Sequence, residues 1–143
     1  MPVPLEDFPK IISVDDHVVE PPHVWQDRLP EKYKDAGPRI VIAPQGEMTL
    51  VDGSWVETPG DGDKMAAWWH YEDHRYQIKE MIACAGRDPK TVTMQGVTYD
   101  DIRPGCYEPK ARLEDMDDNH VEASICFPNY PRFCGQLFAE RKD

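Results

Sequence analysis

The first apolar run of the chain, residues 11–14, ends in Asp15, Asp16 and His17, and Pro21-Pro22 follows. β-Branched residues like those of the run favour a strand, whereas proline cannot continue one. We therefore predict a first core strand with this polar cluster at its C-terminal end. Strand side chains alternate between two faces, so Asp15 and His17 should project together and Asp16 should point away.

A second strand is predicted near the end of the sequence. Residues 121–127 alternate between apolar and polar types until Pro128 stops the run. The preceding segment, 109–118, has the pattern of a helix, since Pro109 suits a first helical turn and opposite charges recur at i,i+4. Strand, helix and parallel strand form the usual opening of an α/β barrel.

The middle of the chain contains three β-type runs, at residues 39–42, 48–51 and 54–57. Asp52-Gly53 is a strong turn signal between the second and third runs. We therefore predict a small antiparallel β-element over about residues 39–57.

Two helices are predicted on either side of this β-element. Residues 22–29 begin with a proline and carry apolar residues at helical spacing. Residues 64–85 have the pattern of a longer helix, with Gly86 as its stop. The aromatic residues of that segment, among them Trp68 and Trp69, favour a packed face over a ligand cage.

The composition limits the possible classes of function. At 143 residues the chain is long enough for one domain with a core. Twenty-seven acidic against sixteen basic residues give a net charge of -11, which would repel nucleic acid and anionic membranes. No secretion signal or membrane-spanning run is recognisable, so we expect a cytoplasmic protein. The four cysteines form no C-x-x-C pair and are assigned no chemistry.

The polar cluster at the end of the first strand has the residue types of a metal site. A carboxylate and a neutral imidazole, as Asp15 and His17 would present, both bind zinc at about 2.0–2.2 Å. Two donors do not complete a site. An ordinary turn, with an aspartate bound to the backbone and a half-exposed histidine, would give the same sequence. From the residues alone, both interpretations stay open.

A second pair of histidines lies in the predicted helix 64–85. His70 and His74 are four residues apart and would share one helix face, as in H-E-x-x-H zinc sites. The acidic residue, Glu72, would be rotated off that face. We therefore expect solvated or hydrogen-bonded histidines here rather than a metal site.

Two motifs occur in the order found in a known family. Asp15, His17, Glu20 and Pro21-Pro22 match a strand end of the form D-x-H followed by x-x-E-P-P. Residues 112–128 match R-L-x-D-M-D, a short turn, and an apolar strand that ends in F-P. In both motifs the chain resembles the ACMSD-like branch of the amidohydrolase superfamily, often called amidohydrolase 2. The resemblance covers almost the whole chain but only about the first third of a family member.

The resemblance implies an α/β fold, namely the N-terminal part of a TIM-like (β/α)8 barrel. The β-element at 39–57 would be an insertion between the first two barrel strands. A complete barrel takes about 250 residues, more than this chain has. We therefore expect residues 1–143 to be the N-terminal portion of one barrel domain, with the remainder of the barrel absent from this chain.

The resemblance also implies a divalent metal, most often zinc with manganese as an alternative, held in part by Asp15 and His17. A His and an Asp from later strands, which this chain lacks, would complete the ligand set. Glu20 would be a catalytic-site carboxylate that does not bind the metal itself but orients His17 or holds the loop. A solvated loop carboxylate is the competing interpretation of Glu20.

The implied activity is hydrolysis or non-oxidative decarboxylation of a small carboxylated compound, cyclic or aromatic, by a full-length parent protein that is a homo-oligomer. The present chain alone is expected to bind metal weakly and to be inactive, because the strands with the other ligands are absent from it. The acidic and aromatic composition also allows a different class of function. In that alternative the chain is a truncated, non-catalytic binding or assembly module, and its β-element and aromatic segment dock on a partner.

Overall fold

The computed structural model describes residues 7–141, apart from the side chains of residues 54–56, 59 and 134. The chain divides into two compact units. The terminal unit combines the segment up to residue 20 with the segment from residue 104 onward, and the central unit comprises residues 21–103.

Strands predominate over helices in the described part of the chain. The strands are β1 (Ile11–Val18), β2 (Arg39–Pro44), β3 (Gly46–Val51), β4 (Ser54–Pro59), β5 (Met65–Tyr71), β6 (His74–Gln77) and β7 (Val121–Pro128). The α-helices are α1 (Glu31–Lys34), α2 (Pro109–Asp118) and α3 (Gln136–Ala139), and 3₁₀ turns occur at Glu80–Ala83, Tyr99–Asp101, Pro104–Cys106 and Phe133–Gly135. None of these helices is long and apolar enough to cross a lipid bilayer.

In the terminal unit, β1 and β7 form a two-stranded parallel sheet. The helix α2 precedes β7 and packs against it. It begins at Pro109, where the missing N–H is not needed, and the chain enters β7 through His120, whose backbone is left-handed (φ 57°). The helix predicted at 109–118 and the two predicted strands are confirmed, but the strands contain no buried residue and so do not form a core.

A β-bulge interrupts the β1–β7 ladder beside the polar cluster. Ser13 pairs with Ser124 and Asp16 pairs with Cys126, so β1 advances three residues where β7 advances two. The extra residue brings Ser13 and Asp16 to the same side of the sheet. Asp15 lies within this bulge and has no partner in the β1–β7 register.

In the central unit, β5 lies between β2 and β6 in a three-stranded antiparallel sheet. Its core is built on β5, where Trp68 and Trp69 are almost completely buried. Trp25 packs edge-on against Trp69, with ring centroids 4.7 Å apart. The prediction that these tryptophans form a packed face is confirmed.

The strands β3 and β4 form a separate hairpin, joined by Asp52 and Gly53. Both residues have positive φ, 48° and 80°, which gives a type I′ turn whose twist matches that of the strands. The predicted turn is therefore confirmed. However, β2 pairs with β5 rather than with β3, so antiparallel structure extends well beyond the predicted 39–57.

Both helices predicted for the central unit are wrong. Residues 64–85 form β5, β6 and the 3₁₀ turn Glu80–Ala83, because large aromatic side chains fit a pleated surface that is covered by neighbours. Glu72, with φ 49°, makes the tight reversal between the two strands. Residues 22–29 form a series of hydrogen-bonded turns instead of a helix.

The predicted fold class, the N-terminal part of a TIM-like (β/α)8 barrel, is wrong. The described strands belong to three small sheets, two of which are antiparallel. A barrel requires successive parallel strands joined by helices. Residues 21–103 instead form antiparallel strands, and their only α-helix is the four-residue α1. The structure is a small mixed fold in which one parallel strand pair accompanies two antiparallel elements.

Candidate metal-binding site

Asp15 and His17 lie together at the C-terminal end of β1. Asp15 Oδ1 is 3.8 Å from His17 Nε2, and the two side chains are 83% and 58% exposed. The two-residue spacing on a strand produces this convergence, because such residues share a face. The predicted geometry of the pair is therefore observed, and both sets of donor atoms are open to solvent.

Asp16 points the other way, toward α2, as the alternation predicts. Its carboxylate accepts a hydrogen bond from the Ser124 hydroxyl of β7, and its Oδ2 lies 3.0 Å from Arg112 Nη2 of α2. The hydrogen bond from Ser124, with help from the Arg112 charge, holds the pKa of Asp16 below its ordinary value, although partial burial opposes this. Asp16 is therefore an ionised link between three elements.

Two aromatic rings lie near the His17 imidazole. The His17 ring centroid is 6.0 Å from that of Phe127, its partner in the β1–β7 register. Phe127 in turn stacks on the exposed ring of Phe133 at 5.4 Å. The pair thus has water on one side and an apolar surface on the other.

Glu20 is buried at the end of the loop that follows β1. Its carboxylate accepts hydrogen bonds from the backbone N–H of Asn129 at 2.8 Å and of Tyr130 at 3.2 Å. Burial raises the pKa of Glu20 above its ordinary value, and the backbone hydrogen bonds only partly oppose that rise. Of the interpretations made from the sequence, these contacts favour a carboxylate that holds a loop, and burial excludes one in free solvent.

Asn129 is a part of this arrangement that sequence reasoning missed. Its side-chain amide donates to the carbonyl of Val18 at 2.6 Å, while its own backbone N–H donates to Glu20. Asn129 therefore ties the end of β1 to the end of β7. The signal available in the sequence was its position directly after the F-P end of the second motif.

The donor types and their spacing are compatible with two ligands of one metal ion. Two donors of a tetrahedral zinc site, each at about 2.0–2.2 Å, lie about 3.4 Å apart. The separation of 3.8 Å between Asp15 and His17 is a small side-chain rotation away from that value. Among residues 7–141, no group of three or more His, Cys, Asp or Glu could hold a metal. Further ligands would have to come from outside these residues or from solvent.

His70 and His74 are not brought together. They lie on β5 and β6, in a register that pairs His70 with Arg75 and Tyr71 with His74. Directly paired residues share a face, so the two imidazoles project from opposite faces of the sheet. The helix face on which the sequence would have placed them does not exist.

The central unit contains a cavity of about 340 Å³ beside the β3–β4 hairpin. Its lining residues are Gln45, Gly46, Glu47, Met48, Glu57, Gln77, Met94 and Gln95. The carboxylate of Glu57 is already engaged, by the Lys79 ammonium at 3.2 Å and by the Gln77 amide at 3.1 Å. The Glu57 carboxylate is therefore occupied by partners within the protein.

Comparison with known proteins adds no family to this description. No protein-family model matches the chain, and no curated protein sequence is significantly similar to it. The likeness to the amidohydrolase superfamily therefore consists of the two short motifs, and the functional roles it implies stay predictions.

Proposed function

We propose that Asp15 and His17 supply two ligands to the divalent metal, zinc or manganese, of a hydrolase or non-oxidative decarboxylase. The observation that supports this proposal is their 3.8 Å approach, with exposed donor atoms, at the C-terminal end of a parallel strand. Residues that lie at this end of parallel strands commonly carry the chemistry of α/β enzymes. The D-x-H and E-P-P motif adds the resemblance to metal-dependent amidohydrolases.

Each residue has a distinct role in this proposal. His17 binds through a neutral imidazole nitrogen and Asp15 through a carboxylate oxygen, while buried Glu20 holds the adjoining loop at Asn129 and Tyr130. A bound divalent ion supplies either an activated water for hydrolysis or a Lewis acid that stabilises charge during decarboxylation. The remaining ligands would come from outside the described residues or from solvent.

The proposed substrate is a small carboxylated compound, cyclic or aromatic. The apolar surface of Phe127 and Phe133 beside His17 gives a ring a place to pack. We place the enzyme in the cytoplasm as a homo-oligomer. The thiols of Cys84 and Cys126, which form no disulfide, are consistent with a reducing compartment.

Elemental analysis and an activity assay together test this proposal. Zinc retention and turnover of carboxylated aromatic compounds are measured for the full-length protein and for its His17→Ala and His74→Ala variants. Loss of both in His17→Ala, with both retained in His74→Ala, is the expected result. Zinc that stays in His17→Ala, or that is lost only in His74→Ala, would remove the assignment.

A second candidate function is a non-catalytic binding or assembly module. It is favoured by apolar side chains that stay exposed on the terminal unit, of which Ile12 and Val14 on β1 are each 64% exposed. Exposed apolar surface of this kind marks interaction sites or association. Association that needs no metal and is unchanged in His17→Ala, together with absence of turnover, would favour this module over the enzyme.

A further inference from the structure

A side-chain network lies directly behind the proposed metal ligands. We infer that Asp16, Ser124 and Arg112 are positioning residues that fix the directions of Asp15 and His17. This inference rests on the proposed function. It adds three residues that are not ligands themselves but control the strand end that carries both ligands.

The main chain alone holds this strand end weakly. Within the described residues β1 has one neighbouring strand, β7, so its other edge makes no ladder hydrogen bonds. The bulge between Ser13 and Asp16 interrupts the ladder on the paired edge as well. Asp15 lies inside that interruption, and His17 follows directly after it.

Side-chain contacts hold this part of β1 where ladder hydrogen bonds are missing. Asp16 of β1 accepts a hydrogen bond from Ser124 of β7 and forms an ion pair with Arg112 of α2 at 3.0 Å. Arg112 Nη2 also lies 3.5 Å from the Ser124 hydroxyl. The link therefore joins three elements at the residue that separates Asp15 from His17.

The ion pair between Arg112 and Asp16 is partly shielded from solvent. The side chains of Arg112 and Asp16 are only 22% and 30% exposed, so solvent screens their attraction less than in a surface pair. Successive residues of a strand project to opposite faces. Holding the Asp16 side chain against α2 therefore directs both neighbours toward the opposite, open face.

The network also leaves the proposed ligands available. The Asp16 carboxylate is already bound by Ser124 and Arg112, whereas the donor atoms of Asp15 and His17 remain exposed beside each other. Beyond His17, the Asn129 amide bound to Val18 holds the next part of the chain. One tie thus holds the residue between the two ligands and the other holds the residue that follows them, and the donor atoms of Asp15 and His17 take part in neither.

Zinc affinity of the full chain tests the inference. Asp16→Asn and Arg112→Met remove the ion pair with little change in side-chain size, and Glu122→Gln, an exposed carboxylate of β7, is the matched control. Affinity is measured by calorimetric titration, and thermal unfolding is followed in parallel at the same pH. We expect roughly tenfold weaker zinc binding in Asp16→Asn and Arg112→Met, since groups that orient ligands contribute about 10- to 100-fold.

The control and a conservative variant distinguish positioning from folding. Glu122→Gln should bind zinc like the wild type, and Arg112→Lys, which keeps the charge, should recover part of the lost affinity. Variants that unfold normally but bind weakly support positioning. Asp16→Asn that binds zinc like Glu122→Gln, while His17→Ala does not bind, overturns the inference and leaves the proposed function standing.

If Asp15 and His17 do not bind metal, the positioning role of Asp16 can still be tested in metal-free protein. If zinc binds equally to wild type and His17→Ala, amide hydrogen exchange at residues 15–18 is compared in metal-free protein. Faster exchange there in Asp16→Asn than in Glu122→Gln retains the positioning role of the network. Equal exchange rates in the two variants overturn it.

Discussion

At the scale of single residues, Glu20 shows two opposing effects on one carboxylate. Removal from water favours its neutral form, and the N–H donors of Asn129 and Tyr130 favour its charged form. The carboxylate nevertheless supplies acceptors for two buried backbone groups. The contribution of Glu20 to the free energy of unfolding is therefore set by the cost of leaving those two N–H donors without an acceptor.

Glu20→Ala should destabilise the protein by about 1–3 kcal/mol, because it leaves buried N–H groups of Asn129 and Tyr130 unsatisfied. Chemical denaturation measures the free energy of unfolding. The control, Glu122→Ala, removes an exposed carboxylate and should change that energy by less than about 0.5 kcal/mol. Equal effects of the two substitutions would show that Glu20 does not hold the loop.

His70 is a second residue whose surroundings determine its protonation. It lies on β5 between Arg39 of β2 and Arg75 of β6. Burial, followed by the charges of Arg75 and Arg39, lowers the pKa of His70 below its ordinary value of 6.5. The unfolded chain therefore binds a proton more readily than the folded chain, and acid favours unfolding.

The stability contributed by neutral His70 should be complete above pH 6.5 and should be lost as pH falls through the lower pKa of the folded state. Unfolding midpoints are measured between pH 7.5 and 5 for wild type and His70→Gln. The variant should lose less stability on acidification than the wild type. The control, His23→Gln, removes an exposed histidine of the same unit and should follow the wild type. Identical pH profiles for His70→Gln and wild type would contradict this account.

At the scale of elements, sequence patterns succeeded where one local signal decided the outcome. Pro109 and the charge spacing predicted α2, strict alternation predicted β7, and Asp52-Gly53 predicted the β3–β4 turn. Residues 64–85 failed because an aromatic-rich run fits a helix or a buried strand, and pairing with β2 selected the strand. That choice depends on contacts remote in sequence, which a local pattern does not contain.

Gly53→Ala tests the turn that defines the β3–β4 hairpin. Gly53 has φ 80° and nothing lies within 4 Å of an added Cβ, so the backbone conformation alone opposes the substitution. The left-handed conformation costs an L-residue about 1–2 kcal/mol, and we expect destabilisation of that size. Gly62→Ala, equally open but without positive φ, is the matched control for the unfolding measurement. Equal unfolding energies for the two variants would contradict the turn assignment.

At the scale of the whole molecule, the sequence predicted the directions of three side chains on β1 better than it predicted the fold. The convergence of Asp15 with His17 and the opposite direction of Asp16 follow from strand alternation alone. The barrel prediction failed because it extended one parallel strand pair to a complete architecture. Asn129 was missed because its role depends on the spatial meeting of two strand ends that are distant in sequence.

The terminal unit should cause the protein to associate. Its two parallel strands leave Ile12, Val14 and Ile125 exposed, and parallel sheets are normally covered on both faces. Sedimentation over a range of concentrations should show species larger than 16.5 kDa. Ile12→Thr should weaken this association, whereas Ile42→Thr, a similarly exposed position on β2, should not. A concentration-independent monomer in the wild type would contradict the prediction.

The central claim is that Asp15 and His17 form one metal-binding pair. Calorimetric titration of zinc into metal-free wild type, Asp15→Ala, His17→Ala and His70→Ala proteins tests it most directly. Asp15→Ala and His17→Ala should lose the binding seen in the wild type, and His70→Ala should retain it. Zinc binding that survives in both Asp15→Ala and His17→Ala would show that the two residues do not bind a metal together.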